Sequence, residues 1–174
     1  GYGSGWYKFH QTVKLYGHLN ILEEDFDKKS EMDFLDYARS YQPNLVRGYD
    51  QLPLTDKIHW VNAWIQVMDF RKKNPLIVDT WKHHDRNYKH SIGEDYEIDI
   101  LSGRTLKFYD IRPELDGITC KTQKRAKRRS YFYGANIFQN GIQALARDCF
   151  AEHLLKLHDR GWTPVMHVHD ELML

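Results

Sequence analysis

The residues best suited to chemistry stand near the end of the chain. His169, Asp170 and Glu171 follow the short run 165–168 and precede the apolar residues 172–174. This pattern predicts two short strands joined by a tight turn, with Asp170 projecting from its tip. Carboxylate oxygens on a rigid turn hold Mg²⁺ while leaving positions open for water and substrate phosphates. The segment is therefore a candidate magnesium site with Asp170 as the metal ligand, and an ordinary Asp-Glu turn without metal is the alternative interpretation.

Histidines in the same segment leave a zinc site open as an alternative. His167 and His169 alternate along the predicted strand, and two imidazoles with the Asp170 carboxylate form a common zinc ligand set. Residues 167 and 169 would point to one face while Asp170 turns away, and no third His or Cys stands at a familiar ligand spacing. A zinc hydrolase is therefore the less favoured metal hypothesis.

A polar stripe predicts a second kind of site. Residues 136–159 have apolar side chains at helical spacing, and on the opposite face Asn140, Gln143 and Arg147 lie at i, i+3 and i+7. Amide side chains offer a donor and an acceptor, which suits the acceptors that every base pair presents in the minor groove. Such a stripe could test base-pair geometry without reading sequence. A solvated helix face is the alternative interpretation.

A basic run precedes this helix in the sequence. Residues 121–129 contain the cationic side chains Lys121, Lys124, Arg125, Lys127, Arg128 and Arg129. Such a run neutralises phosphates and releases counterions, which gives nucleic-acid affinity that depends on salt and not on base sequence. The alternative is a solvated basic loop. The net charge of the whole chain is only +1, so a nucleic-acid surface would have to be local.

Hydrophobic periodicity predicts the elements that position these residues. Besides the helix 136–159, helices are predicted over four segments, and a β-hairpin is predicted around the turn Ser102-Gly103. The long helix 136–159 should face a core with apolar residues that include Ile142, and the irregular segment 18–53 should form a surface excursion. The predicted helices are 4–16, 31–41, 55–74 and one that starts at Pro75, and the predicted hairpin strands are 96–101 and 105–111. The expected fold class is α+β.

Composition excludes several classes of protein. Of the 174 residues, 41% are hydrophobic and 28% charged, which is typical of soluble globular chains and not of disordered or membrane ones. No run approaches the roughly 18 apolar residues of a membrane span, and the first residues lack the layout of a signal peptide. We therefore expect a cytoplasmic protein without a membrane partner.

The motifs together resemble a known family. Tyr133-Gly134, the pattern Asn140-x-x-Gln143-Ala144-x-Ala146-Arg147-Asp148, and His167-Val168-His169-Asp170-Glu171 closely resemble the palm of phage-type family A DNA polymerases. In that family the Asp of the last motif binds both metal ions, the Glu lies beside them, and the His approaches the primer terminus. The Asn and Gln of the helix contact the minor groove. The resemblance implies these roles for Asp170, Glu171, His169, Asn140 and Gln143.

The first residues resemble another part of the same family. Tyr2-Gly3 is similar to the end of the fingers helix, where the tyrosine stacks near the templating position and the segment contributes to nucleotide and template binding. The resemblance thus implies a fingers-like helical region over 1–95, with an insertion at 18–53. It implies a palm-like region over 96–174, with antiparallel hairpins packed on a long helix. The resemblance covers most of 1–17 and 54–174.

The resemblance implies a function as well as a fold. It implies a part of a DNA-directed DNA polymerase that transfers nucleotides by a two-metal mechanism, with Mg²⁺, primer–template DNA and deoxynucleoside triphosphates as its ligands. The family takes its second metal-binding Asp, and the Arg and Lys that grip the nucleotide, from residues that precede those seen here. We therefore expect a piece of a split enzyme, completed by complementary polypeptides, with an excised fragment as the competing explanation. A phage gene expressed in a bacterial host is the expected source, and a non-catalytic DNA-binding remnant is the alternative function.

Overall fold

A computed structural model describes residues 5–16, 26–115, 117–163, 165–168 and 171–173. Its elements are α1 Trp6–Tyr16, α2 Lys28–Tyr41, a 3₁₀ helix Tyr49–Gln51, α3 Leu54–Lys73, α4 Pro75–His90, β1 Tyr96–Asp99, β2 Thr105–Glu114, β3 Gly117–Lys121, β4 Ser130–Tyr131, α5 Gly134–Asp159, β5 Met166–Val168 and β6 Glu171–Met173. This confirms the α+β class. The contacts divide the chain into two compact units, Gly1–Val78 and Asp79–Leu174. No helix in the described ranges is both long enough and apolar enough to cross a membrane.

The first unit is built from helices around an aromatic core. Helix α3 contacts both α1 and α2, and the Trp6 ring lies with its centroid 4.9 Å from that of Phe34. Phe34, Ala38 and Tyr49 are buried, so the prediction that 18–53 forms a surface excursion is wrong for residues 26–53. The predicted helix is present and begins after Asp27, whose carboxylate accepts a hydrogen bond from the Ser30 N–H at 2.8 Å.

The second unit contains a four-stranded antiparallel sheet in the order β1-β2-β3-β4. The β1–β2 hairpin confirms the prediction around Ser102-Gly103, whereas β3 and β4 were not predicted. Helices α4 and α5 supply the rest of the core. The buried residues of this core are Tyr88, Tyr96, Phe108, Ile111, Cys120 and Ile137.

Strand β2 contains an irregularity at Asp110. The register with β3 shifts between Tyr109 and Arg112, and Asp110 has a φ of 56°, in the left-handed region that Asp tolerates better than most residues. Its N–H is satisfied by the Asp95 carboxylate at 2.9 Å. Pairing with β3 begins only at Tyr109, so residues 105–108 have β1 on one side and, within the described chain, no strand on the other.

Helix α5 begins where it touches α4. Gly134 is its first residue, and a Cβ atom there would overlap the Trp81 carbonyl oxygen and lie 2.8 Å from the Asp85 nitrogen. The Gly134 N–H is oriented toward the Asp85 carboxylate at 3.2 Å. Glycine is therefore required by the close approach of the two backbones.

The rest of α5 is less buried than its periodicity predicts. Its buried residues are Gly134, Ala135 and Ile137, all in the first two turns. The prediction that Ile142 faces a core is wrong, because its side chain is 51% exposed. A helical period identifies which residues share a face, but it does not reveal whether another element covers that face.

Candidate functional site

The turn of the β1–β2 hairpin is fastened to helix α5. The Arg104 guanidinium contacts the Asp148 carboxylate through Nη2–Oδ1 at 2.7 Å and Nε–Oδ2 at 3.2 Å. The Ser102 hydroxyl donates to the same carboxylate, and Arg104 also donates to the Ala144 carbonyl oxygen at 3.2 Å. The hydrogen bonds from Ser102 and Arg104 hold the pKa of Asp148 below its ordinary value. These contacts of Ser102 and Arg104 with Asp148 form a clamp. The clamp fixes the position of α5 next to Arg147 and about one turn beyond Gln143.

Asn140 lies beside strand β2. Its side chain is half-buried, and its Nδ2 donates to the Asn136 carbonyl oxygen at 2.8 Å. With β2 it borders a recess of about 370 Å³. The other residues that line this recess are Thr105, Leu106, Lys107, Phe108, Tyr109 and Thr122. Thr122 directly follows β3 and opens the basic loop, so the recess is bordered by one residue of the polar stripe, Asn140, and by the first residue of this loop.

The two remaining residues of the polar stripe are accessible. Gln143 and Arg147 are exposed on α5. The Arg147 guanidinium carbon lies 6.0 Å from the centroid of the Phe150 ring, within the range of a cation–π contact. Both side chains are therefore available to a ligand that lies along this face of the helix.

The basic run divides into two kinds of residue. Lys124, Arg125, Lys127 and Arg128 are exposed in the loop between β3 and β4, where phosphates could reach them. The Arg129 side chain is only 18% exposed, and its guanidinium donates to the Thr119 hydroxyl at 2.9 Å and carbonyl oxygen at 3.0 Å.

Arg129 also joins a group of charges around the irregularity in β2. It donates to the Asp110 carboxylate at 2.8 Å and to the Asp110 carbonyl oxygen, and its Nε lies 3.3 Å from a Glu114 oxygen. Desolvation raises the pKa of Asp110, but hydrogen bonds from Arg112, Lys121 and Arg129 outweigh this effect and lower it. Arg129 thus ties the end of the basic loop to strands β2 and β3.

The last two strands form the predicted hairpin. Strands β5 and β6 pair antiparallel, with Val168 opposite Glu171, and Glu171 is exposed. His169 and Asp170, which stand between these strands in the sequence, lie outside the described residues, as do Tyr2 and Gly3 and the His167 side chain. Their proposed roles stay predictions. Within the ranges that the structure describes, no group of three or more His, Cys, Asp or Glu residues could hold a metal ion.

Neither the clamp nor the recess has a local signal in the sequence. Arg104 and Asp148 are separated by 44 residues, and Asn140 and Thr122 are brought together only by the packing of α5 beside the sheet. The sequence feature that comes closest to predicting the clamp is the turn at Ser102-Gly103, because it predicts that Arg104 stands at a hairpin end.

The chain is similar over part of its length to a phage DNA polymerase. It is 35% identical over 99 residues to a DNA polymerase of Bacillus phage SP02, and the match covers 49% of this chain and 15% of that relative. The matched part is thus a small share of the relative's length. No family model matches the chain, and no solved structure gives a significant match. The similarity supports a relationship to DNA polymerases.

Proposed function

We propose that this chain is part of a phage-type family A DNA polymerase, in which it holds primer–template DNA and contributes one carboxylate to a two-metal site. The observation that carries the proposal is the recess that Asn140 and Thr122 both line, because Asn140 belongs to the polar stripe and Thr122 opens the basic loop. The 35% identity to a phage DNA polymerase supports the same assignment independently.

Each part of the site has its own role in this proposal. Asn140 and Gln143 contact minor-groove acceptors of the newly formed base pairs, and Arg147 binds the backbone or sugar beside them. The exposed cations of the loop bind phosphates without reading sequence; they are Lys124, Arg125, Lys127 and Arg128. Arg129 holds this loop in place by its bonds to Asp110 and Thr119. Tyr2 and Gly3 contribute to binding the deoxynucleoside triphosphate and the template base.

Asp170 is the proposed magnesium ligand, with Glu171 beside it and His169 near the primer terminus. The pairing of Val168 with Glu171 supports this, because it leaves two residues between the strands, the length of a tight hairpin turn. Carboxylate oxygens are the ligands that Mg²⁺ prefers. The bound ions would stabilise the attacking 3′-oxygen and the leaving pyrophosphate.

A two-metal site needs carboxylates on both sides of the ion pair. Asp170 supplies one of them, and in the family the other comes from a strand that precedes the fingers helix. We therefore propose that activity requires further polypeptide, either as a continuation of this chain or as a separate complementary chain. A phage source and action in its host cell follow from the same proposal.

Reconstituted primer extension tests the proposal. The chain is combined with the missing polymerase segments, and extension of a labelled primer is measured with Mg²⁺ for the wild type and for Asp170→Ala. We expect the substitution to abolish extension while leaving assembly and primer–template affinity intact. Asp36→Ala, which removes an exposed carboxylate in α2, is the matched control and should extend normally.

Three outcomes contradict the proposal in distinguishable ways. Extension by Asp170→Ala at the wild-type rate would exclude Asp170 as the metal ligand. DNA binding without extension in any reconstituted mixture would favour the non-catalytic binding remnant. Stoichiometric zinc in the purified wild type, lost on His167→Ala, would favour the zinc hydrolase.

A further inference from the structure

The open side of strand β2 lies in the recess beside Asn140. Residues 105–108 pair with β1, whereas pairing with β3 begins at Tyr109 and Lys121. The chain then leaves the sheet at Thr122 to form the basic loop. A stretch of β2 therefore presents a strand edge inside the molecule's second unit, and this edge lines the recess.

The hydrogen-bond pattern of the hairpin shows which backbone groups face this edge. The Ile100 N–H donates to the Arg104 carbonyl oxygen at 2.9 Å. Hydrogen-bonded pairs alternate along an antiparallel ladder, so the next bonded pairs are 98 with 106 and 96 with 108. The N–H and C=O groups of Thr105 and Lys107 consequently point away from β1 and toward the recess.

Two carboxylates of β1 are engaged by side chains of this part of β2. The Lys107 ammonium contacts a Glu97 oxygen at 2.6 Å, and the Thr105 hydroxyl donates to an Asp99 oxygen at 2.6 Å. The recess itself offers the backbone N–H of Lys107, the Thr122 hydroxyl and the Asn140 amide, and the four exposed cations of the loop follow Thr122 in the sequence. This combination of N–H donors and nearby positive charge suits an anion.

We propose that the open edge of β2 at Lys107 is a seat for the sugar–phosphate backbone of nucleic acid, where a phosphate oxygen accepts a hydrogen bond from the Lys107 backbone N–H. This inference rests on the proposed function, because it takes primer–template DNA as the ligand. It adds a site that binds nucleic acid without recognising base identity and without using a charged side chain of the protein. The seat holds one strand at a fixed distance from Asn140, so that the amide meets the minor groove in register.

An added peptide strand is the other occupant that an open edge can take. The basic loop that Thr122 opens favours phosphate, because every phosphodiester carries a negative charge, whereas the backbone of a peptide strand carries none. The amide and hydroxyl groups that line the recess also suit phosphate and sugar oxygens.

Proline substitution isolates the backbone donor. Lys107→Pro removes the N–H that faces the recess but none that bonds to β1, and proline is tolerated at strand edges of this kind. Lys107→Ala is the matched control, because it removes the ammonium and keeps the N–H. We expect Lys107→Pro to bind a primer–template about tenfold more weakly than Lys107→Ala, as one lost hydrogen bond to a charged acceptor implies. Circular dichroism establishes that both variants are folded.

Amide exchange in the wild type supplies a second measurement that needs no substitution. We expect a phosphodiester primer–template to slow solvent exchange of the Lys107 amide, measured by NMR, and a duplex with neutral methylphosphonate linkages to leave it fast. Equal affinities for Lys107→Pro and Lys107→Ala, or exchange that the phosphodiester duplex does not slow, would overturn the seat. Protection that depends on protein concentration without DNA would also overturn it, in favour of a peptide strand.

A result that contradicts phosphate binding at the Lys107 N–H can be distinguished from one that contradicts the proposed function. A variant with Lys124, Arg125, Lys127 and Arg128 changed to Gln tests the loop alone. If this loop variant loses affinity while Lys107→Pro does not, only the seat is wrong. If neither variant changes the affinity, the nucleic-acid surface of the proposed function is wrong as well.

Discussion

At Gly134 the absence of a side chain determines how closely α4 and α5 approach. The atoms that a Cβ would meet are the Trp81 carbonyl oxygen and the Asp85 nitrogen and Cβ, none of which can rotate away. Gly141 in the same helix has a softer neighbour, because a Cβ there would lie 3.4 Å from the terminal Ile98 methyl. Of these two glycines of one helix, only Gly134 is therefore required by its surroundings to be glycine.

Gly134→Ala should destabilise the second unit. Overpacking a well-packed contact typically costs about 1–3 kcal/mol, and a backbone neighbour places this case at the upper end. The measurement is urea unfolding followed by circular dichroism. Gly141→Ala is the control, and we expect it to be neutral or stabilising by up to about 1 kcal/mol, because alanine favours the helix. Equal stability of the two variants would contradict the proposed close contact.

Two neighbouring arginines show that the sequence does not predict which residues of the basic run are exposed. Arg128 and Arg129 belong to one basic run, yet Arg128 is exposed and Arg129 is bound to Thr119 and Asp110. The run correctly indicates an exposed cationic loop. Which of its members is internal depends on the partners that strands β2 and β3 provide, Asp110 and Thr119, which no local pattern of the run encodes.

At the scale of elements, helix α5 is held at two places. Gly134 seats its first turn on α4, and Asp148 fastens its middle to the hairpin turn through Ser102 and Arg104. Asn140 and Gln143 lie between these two attachments, so the orientation of the polar stripe is determined by contacts outside the stripe itself.

Asp148→Asn should loosen the second attachment in a pH-dependent manner. Because Ser102 and Arg104 lower the pKa of Asp148 in the folded state, its carboxylate stabilises the fold above the ordinary Asp pKa of about 3.9. That stabilisation is lost as pH falls through the lowered folded value. We expect Asp148→Asn to melt a few degrees below the wild type at pH 7, and the difference to vanish in strong acid.

The matched control for this prediction is Asp159→Asn at the end of α5. Asp159 is exposed and makes no contact with the hairpin turn among the contacts of the described chain. Its substitution should leave the melting temperature unchanged at pH 7. A difference between Asp148→Asn and the wild type that persists at low pH would show that the effect is not electrostatic.

The elements themselves were predictable to different degrees. The helices follow from apolar periodicity and end signals such as Pro75 and Gly161, and the β1–β2 hairpin follows from alternation around Ser102-Gly103. Strands β3 and β4 are five and two residues long, and such short strands exist because a partner strand pairs with them. The burial of α2 was equally unpredictable, since it depends on contacts with α1 and α3 residues distant in sequence.

For the proposed binding of nucleic acid, the location of the charges on the molecule matters more than its net charge. The net charge is +1, so long-range attraction to nucleic acid is weak and binding must come from local contacts. Four exposed cations in one loop provide such contacts, beside a recess that contains Asn140. Composition alone therefore does not reveal the local positive charge on which the proposed DNA binding depends.

The last prediction concerns the salt dependence of DNA binding. We expect changing Lys124, Arg125, Lys127 and Arg128 to Gln to weaken primer–template binding uniformly across sequences, because in the proposed function these residues contact phosphates and not bases. The slope of log K against log salt should become shallower by about 0.9 for each phosphate contact removed, or about 3.6 for all four. Fluorescence anisotropy between about 50 and 200 mM salt measures this slope.

A control variant with the same net charge distinguishes the effect of the loop cations on binding from the effect of net charge. Changing Lys28, Lys29, Lys72 and Lys73 to Gln removes four exposed cations from α2 and α3, so both variants carry the same net charge. If binding reflected total charge, the two slopes would be equal, and the loop assignment would be wrong. If phosphates lie along the loop, only the loop variant changes the slope. Arg129 stays unchanged in both variants, because its loss would release the loop from Asp110 and mix a positional effect with a loss of charge.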